Sequence, residues 1–284
     1  MRWFWLCWIV FSGASQAATI SIIIDDVGDN QRLAMRTLNL DKRVALSILP
    51  HTPHSQTIAR LAQTRGNDVM LHQPMESHSN NHLLGPGPIL TTTSLTELRQ
   101  TLKTNVAAIP GVIGVNNHMG SKLTESPTQM AWLMSELSRM DLFFMDSRTS
   151  ANSVAAEMAK NWSVPNVTRH VFLDHEDSVA AIRAQFERLV VIAKKRGHAI
   201  AIGHPKPNTL EFLEYALAHL DESGVELIAI SDYLNFKQYQ PRSLPTPEQH
   251  CNVLTDLKYH LNSLKQQLMR FRCSPITRTY LAGE

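Results

Sequence analysis

Two adjacent carboxylates close a wholly apolar run in Ile22-Ile23-Ile24-Asp25-Asp26-Val27-Gly28. Side by side at the end of a buried strand, two acids repel and resist desolvation unless a cation or a proton resolves the conflict. Consecutive strand residues point to opposite faces, but at a fraying end both can reach one centre. Asp29 can start the following helix alone, so the pair is not needed as a cap. His72 ends a second run, with Glu76 four residues on, and His118 ends a third, where Gly120 lets the backbone turn tightly. Two imidazoles and one acid make a three-ligand divalent metal site with an open position, the chemistry of metal-assisted hydrolysis. Glu76 stands in reserve as a ligand. In Ile202-Gly203-His204-Pro205, backbone-restricting neighbours fix another imidazole, as a positioned general acid requires. Asp146-Ser147-Arg148 offers an acid and a guanidinium that either orient a neighbour, hold substrate or pair with each other. Asp174 and Asp232 read as ordinary strand-end caps, and the other histidines as ordinary loop or core residues.

These residues need a scaffold that gathers them. Eight apolar runs, rich in β-branched residues, end on Asp25-Asp26, Pro50-His51, His72, His118, Asp146, Asp174, His204 and Asp232. The runs are Thr19–Ile24, Val44–Leu49, Asp68–Leu71, Val112–Val115, Leu142–Met145, His170–Leu173, Ala199–Ile202 and Val225–Ile230. Nearly unbroken apolar runs suit strands buried on both faces of a parallel sheet. Helical stretches separate them, with capping boxes at Ser94–Glu97 and Ser126–Gln129 and a variant at Asn208–Glu211. The alternation predicts an α/β barrel whose strand ends share one mouth, where such folds build their active sites. The interval from His72 to His118 is unusually long, and residues 73–93, centred on Gly85-Pro86-Gly87-Pro88, read as a loop forming a lip over that mouth.

Of the chain's 284 residues, 27 are Lys or Arg and 25 Asp or Glu, no electrostatic footprint for nucleic acid or an anionic membrane. Arg2, the apolar stretch Trp3–Phe11 and the small-residue exit at Ser15 and Ala17 read as a secretory signal over residues 1–17. The stretch falls short of the roughly 20 apolar residues of a membrane span, so the expectation is export to a periplasm with no stable membrane anchor. A barrel over residues 18–237, a proline-rich linker over 238–248 and an amphipathic helix and tail over 249–284 follow. Leu254, Leu257, Leu261, Leu264, Leu268 and Phe271 form a short heptad seam that either docks on the barrel or makes a homodimer. A continuous helix would hold Cys251 and Cys273 roughly 33 Å apart, beyond disulfide reach; free thiols, an intermolecular pair or a broken helix remain open.

In this order, IIIDDVG, LHQPME, NNHMGS, MDSRTS and IGHP resemble the divergent polysaccharide deacetylase family, over roughly Thr19 to Phe236. The resemblance implies a distorted (β/α) barrel of seven or eight strands, a divalent metal, usually Zn2+, and removal of N- or O-linked acetyl groups from an envelope or extracellular glycan, including peptidoglycan-like substrates. It implies that Asp25 is the catalytic base, Asp26 and His72 are metal ligands and His204 protonates the leaving group. Ordinary members carry a second histidine where this chain has Glu76, so the third ligand is assigned to His118, on the strand expected beside that of His72. Asp146 or Arg148 would then orient His204. Asn116-Asn117-His118 replaces an expected arginine-proline motif. The alternative class is an inactive periplasmic glycan-binding or scaffold protein that keeps the barrel; an amidase or esterase acting on another acyl group is a further rival.

Overall fold

The computed structural model describes residues 17–234. The leader expected over residues 1–17, apart from its last residue, lies outside the described residues, as do the linker at 238–248, the helix at 249–284 and both of its cysteines. Among the described residues no helix is long and apolar enough to cross a membrane.

Each apolar run forms a strand. β1 (Ala18–Val27), β2 (Ala45–Ile48), β3 (Val69–Met75), β4 (Val112–Met119), β5 (Phe143–Asp146), β6 (Asn166–Thr168), β7 (Val171–Phe172), β8 (His198–Gly203) and β9 (Val225–Leu227) build one parallel sheet. Its order is β6-β5-β4-β3-β2-β1-β8-β7, with β9 beside the first three residues of β1. The sheet curls into a barrel whose hydrogen-bonded ladder stays open between β6 and β7. That opening is the distortion of the expected barrel. β6 is absent from the sequence reading because three residues with polar ends carry no apolar run.

The sheet's outer face packs against the helices α1 (Gln31–Leu38), α2 (Ser55–Arg65), α3 (Leu95–Ala108), α4 (Pro127–Met140), α5 (Ala155–Asn161), α6 (Val179–Arg196) and α7 (Pro207–Ala218), with the short α8 (Ile230–Tyr233) last. Ile22, Ile24, Leu71 and Phe144 join the core beneath the helices, whereas Ile23, Met70, Phe143, Met145, Ile200 and Ile202 fill the barrel's interior. Burial on both faces explains the unbroken apolar runs. Gly114 is small because a Cβ there would lie 2.3 Å from Phe143 Cε1; its absence lets that ring plug the interior.

The helix starts confirm some cap expectations and correct others. Ser94 and Glu97 form the full capping box, and Pro127 opens α4 behind Ser126, whose hydroxyl meets Gln129 rather than a backbone amide. Asn30, not Asp29, caps α1, accepting from Leu33 N at 3.1 Å. α7 starts at Pro207, so Asn208 is already helical and its amide donates to Asp177 instead of capping.

The stretch after His72 is less irregular than a free loop. β3 runs on to Met75, and Ile89 returns to pair with it, donating to Pro74 O and accepting from Glu76 N, both at 2.9 Å. Between them lies a 3-10 turn at Asn81–Leu83, which brings Leu83 O to 3.4 Å from His118 Nε2.

Candidate metal centre

Alternation along the strands decides what faces the lumen. Ile23 points inward, so Asp25 does as well; Met70 and His72 share a face, as do Ile202 and His204. Register then aligns the tips, with His72 opposite Asn116, Pro74 opposite His118 and Ile24 opposite Gly203. By the same rule Asp26 should point outward. It does not, because it adopts a left-handed φ of 54° at an irregularity in the pairing with β2 between Ile24 and Val27. This bulge turns two successive carboxylates toward one centre. Gly28 completes the turn at φ 135°, where a Cβ would come within 2.2 Å of Thr52 Oγ1.

Asp26, His72 and His118 converge: their ligand atoms all lie within 4.8 Å of one another. Asp26 Oδ1 is 3.1 Å from His72 Nε2 and 2.9 Å from His118 Nδ1, and those nitrogens are 3.2 Å apart. The surrounding bonds set the tautomers. Asn116 Nδ2 donates to the Asp25 carboxylate at 2.8 Å, which leaves Asn116 Oδ1 to accept from His72 Nδ1 at 2.7 Å and from Ser47 Oγ at 2.5 Å. His118 Nε2 faces Leu83 O at 3.4 Å. His72 Nε2 and His118 Nδ1 therefore present lone pairs, and Asp26 Oδ1 is buried without a hydrogen-bond donor. Three converging electron-pair donors, two of them imidazoles braced on their far sides, fit a divalent cation.

Without an ion, protons must ease the same conflict. Burial would lower the His72 pKa, but the Asp25 and Asp26 carboxylates outweigh it and raise it to about 9. Burial likewise opposes charge on Asp26, yet the adjoining His118 and His72 rings hold its carboxyl far below the usual range. Asp25 differs. Only 3% exposed, it is raised by burial more than His72, His204 and Asn116 pull it down. Its Oδ2 stands 3.7 Å from His72 Nε2, beside the cluster rather than within it. A carboxylate with elevated basicity next to a cation site is placed to accept a proton from water.

His204 closes the opposite side, with Nε2 3.8 Å from Asp26 Oδ2. Its partner is Asp174. Fully buried at the tip beyond β7, Asp174 accepts from His204 Nδ1 at 2.9 Å, from His204 N at 2.7 Å and from Thr209 Oγ1 at 2.8 Å. Burial lowers the His204 pKa, but Asp174, together with the charges of Asp25 and Asp26, outweighs it and raises it, so the ring is biased toward imidazolium. Asp174 is thus not an ordinary cap but the residue that orients His204. The run His170–Leu173 ending on an acid carried that signal.

Asp146 and Arg148 do not orient His204. Asp146 lies one residue beyond the inward-facing Met145 and so points the other way; it accepts from Arg148 N at 2.8 Å and Ser153 Oγ at 2.7 Å. Arg148 lines the cleft, but the partner of the His204 ring is Asp174. Glu76 is also no ligand. Lys122 Nζ lies 2.6 Å from one oxygen and Thr91 donates to the other through N and Oγ1 at 2.6 Å; against the opposing effect of burial they hold its pKa down at about 2. Glu76 ties down the lip. The residues that sequence reasoning missed are Asn116, Asp174 and Arg169, the last lying in the wall beside Phe172. The whole cleft measures about 460 Å3.

An uncharacterized protein of Haemophilus influenzae is 34% identical over 224 residues, 78% of this chain and 79% of its own. The uncharacterized protein YibQ of Escherichia coli K12 is 32% identical over 237 residues, 84% of this chain and 74% of its own. The crystal structure of an uncharacterized protein from Agrobacterium tumefaciens C58 superposes with a TM-score of 0.74 at 21% identity, covering 78% of this chain and 90% of that one. Residues 22–234, from within β1 to the residue after α8, match the family model described as divergent polysaccharide deacetylase. The aspartate pair, both histidines of the cluster and His204 all fall inside that match, and the chain belongs to the divergent polysaccharide deacetylases.

Proposed function

We propose that this protein is a metal-dependent hydrolase that removes N- or O-linked acetyl groups from an envelope or extracellular polysaccharide, with zinc as its ion and the periplasm as its compartment. One observation carries the reading: a three-donor cation cluster has a basic carboxylate on one side and an aspartate-backed imidazole on the other. Asp26, His72 and His118 would hold the ion, and a zinc ion there supplies Lewis acidity at the acetyl carbonyl.

The protein's own residues supply the proton chemistry. Asp25, raised by burial, accepts a proton from the attacking water as its oxygen bonds to the acetyl carbon. Asn116 holds that carboxylate in place through Oδ1 and leaves Oδ2 for the work. Cleavage of the carbon–nitrogen or carbon–oxygen bond then needs a proton on the departing amine or alkoxide. His204 gives it from Nε2, and Asp174 stabilises the ring while it is charged. Acetate and a free amine or hydroxyl result. The leader expected at the start of the chain supports export to where such glycans lie.

The test is acetate release from a panel of acetylated oligosaccharides and peptidoglycan fragments by the zinc-loaded protein. Release should vanish in Asp25→Asn while zinc content stays constant. Undiminished release in that variant, or none from any substrate by fully loaded wild type, would overturn the proposal.

A further inference from the structure

Two arginines in the cleft wall lack a carboxylate partner among the described residues. Arg148 and Arg169 both line the cleft, and neither guanidinium comes within ion-pair distance of a described acid. Arg169, partly buried, donates from Nε to Ser147 O at 2.6 Å and from Nη2 to Arg148 O at 3.1 Å, with its guanidinium 5.2 Å over the Phe172 ring. Carbonyl oxygens orient a guanidinium without neutralising it, and a partly buried charge left so is costly unless a counter-ion arrives. Burial accordingly depresses the Arg169 pKa, and Arg148 adds to the depression while Asp146 and Asp25 oppose it.

Arg148 reaches the cleft by a strained route. It follows β5 on the parity of Asp146, which faces away from the lumen, yet a left-handed φ of 51° swings it to the mouth. Such a conformation is strained for a non-glycine residue and persists where surrounding bonds enforce it. Here the enforcing bond is Arg148 N to Asp146 Oδ1, at 2.8 Å. That explains a buried aspartate the chemistry does not otherwise use: it positions Arg148. The two carboxylates of the metal centre are matched by the divalent cation that the cluster fits. The arginines are left as a cationic wall whose planar forks suit an anion held in two-point contact.

We infer that Arg148 and Arg169 form a specificity subsite for a carboxylate carried by the acetylated sugar itself. The assignment rests on the reading of the cleft as a glycan deacetylase site and narrows its substrate to acidic glycans. A sugar carboxylate has two sources, a uronic acid ring carbon or a lactyl ether as on muramyl residues, and both present the same planar anion.

The test compares O-acetylated oligouronates, muramyl-containing glycan strands and neutral N-acetylglucosamine oligomers. Binding is measured by calorimetry on wild type, Arg148→Gln and Arg148→Lys, alongside acetate release. The acidic-to-neutral ratio of kcat/KM, and of affinity, should fall about tenfold or more in Arg148→Gln, the value of a charge-assisted hydrogen bond, and recover in part in Arg148→Lys. Whichever acidic series shows the larger fall identifies the carboxylate's source. Acetate release with an unchanged ratio in Arg148→Gln overturns the subsite and leaves the deacetylase reading standing. Arginine-dependent binding of acidic oligomers without acetate release supports the subsite and defeats the deacetylase reading. Failure of wild type to prefer either acidic series over the neutral one also overturns the subsite.

Discussion

Replacing Asp174 by asparagine keeps the shape of the residue and changes its hydrogen-bonding logic. Oδ2 accepts from His204 N and Thr209 Oγ1, while Oδ1 accepts from His204 Nδ1. The backbone N–H of His204 can only donate, so the amide oxygen of the introduced asparagine must stay with it. The asparagine NH2 then faces His204 Nδ1, which has to become an acceptor. A ring in that state carries its one proton on Nε2 and cannot become imidazolium without setting donor against donor. The lost charged hydrogen bond is worth roughly 1.5–3 kcal/mol, and the opposed donor adds about 1–3 kcal/mol more. Together they predict a fall in kcat of two orders of magnitude or more. The pH dependence has a definite sign. Asp174 raises the His204 pKa, so in wild type the acid form survives to higher pH, and in Asp174→Asn the alkaline limb of the rate profile moves toward lower pH. Acetate release across pH reads both quantities, with metal content and thermal unfolding as controls. A folded, metal-replete Asp174→Asn protein within threefold of wild type, or with an unmoved alkaline limb, would refute the role given to this pair.

Other consequences concern the metal centre and the core. Asn116→Ala removes the brace on His72 Nδ1 and on Asp25 at once; chelator competition should show the metal dissociation constant rising about 10–100-fold. His72 in the ion-free protein is held near 9, so zinc binding at pH 7 should expel its proton. Calorimetry in buffers of differing ionisation enthalpy should detect the release, with affinity falling as pH falls; no buffer dependence would contradict it. Gly114→Ala drives a methyl group against Phe143 and should cost roughly 1–3 kcal/mol of stability by overpacking, read as a lower midpoint in urea.

The strands were legible because burial on both faces leaves an unbroken apolar signature, and Ile22–Ile24 carries it as plainly as Ala199–Ile202. The histidines of the site were legible for the same reason, since each ends such a run. What escaped was conformation and long-range pairing. Nothing in Asp25-Asp26 states that the second aspartate takes a left-handed turn; fraying was the expected way to bring both to one centre, and a bulge achieves it instead. In the sequence both Asp146 and Asp174 end strands, and Asp174 reads as an ordinary cap while Asp146, with Arg148 two residues on, reads as the orienting acid. Parity excludes it, and parity requires knowing which of Met145 and Asp146 faces in. Asp174 meets His204 across 30 residues through adjacent strand tips, a contact set by register. Asn116, a neutral amide, matches no ligand pattern, and its importance lies wholly in what its two ends touch. Glu76, four residues from His72, looked like a ligand by spacing, but the strand continues past His72 and carries it to Lys122 and Thr91.

Metal content per chain, measured by elemental analysis of tag-free protein in wild type, His118→Ala and Glu76→Gln, bears most directly on the cation cluster. Near-stoichiometric zinc in wild type and Glu76→Gln, with loss in His118→Ala, is the predicted result. Zinc retained in His118→Ala and lost in Glu76→Gln would contradict the cluster of Asp26, His72 and His118.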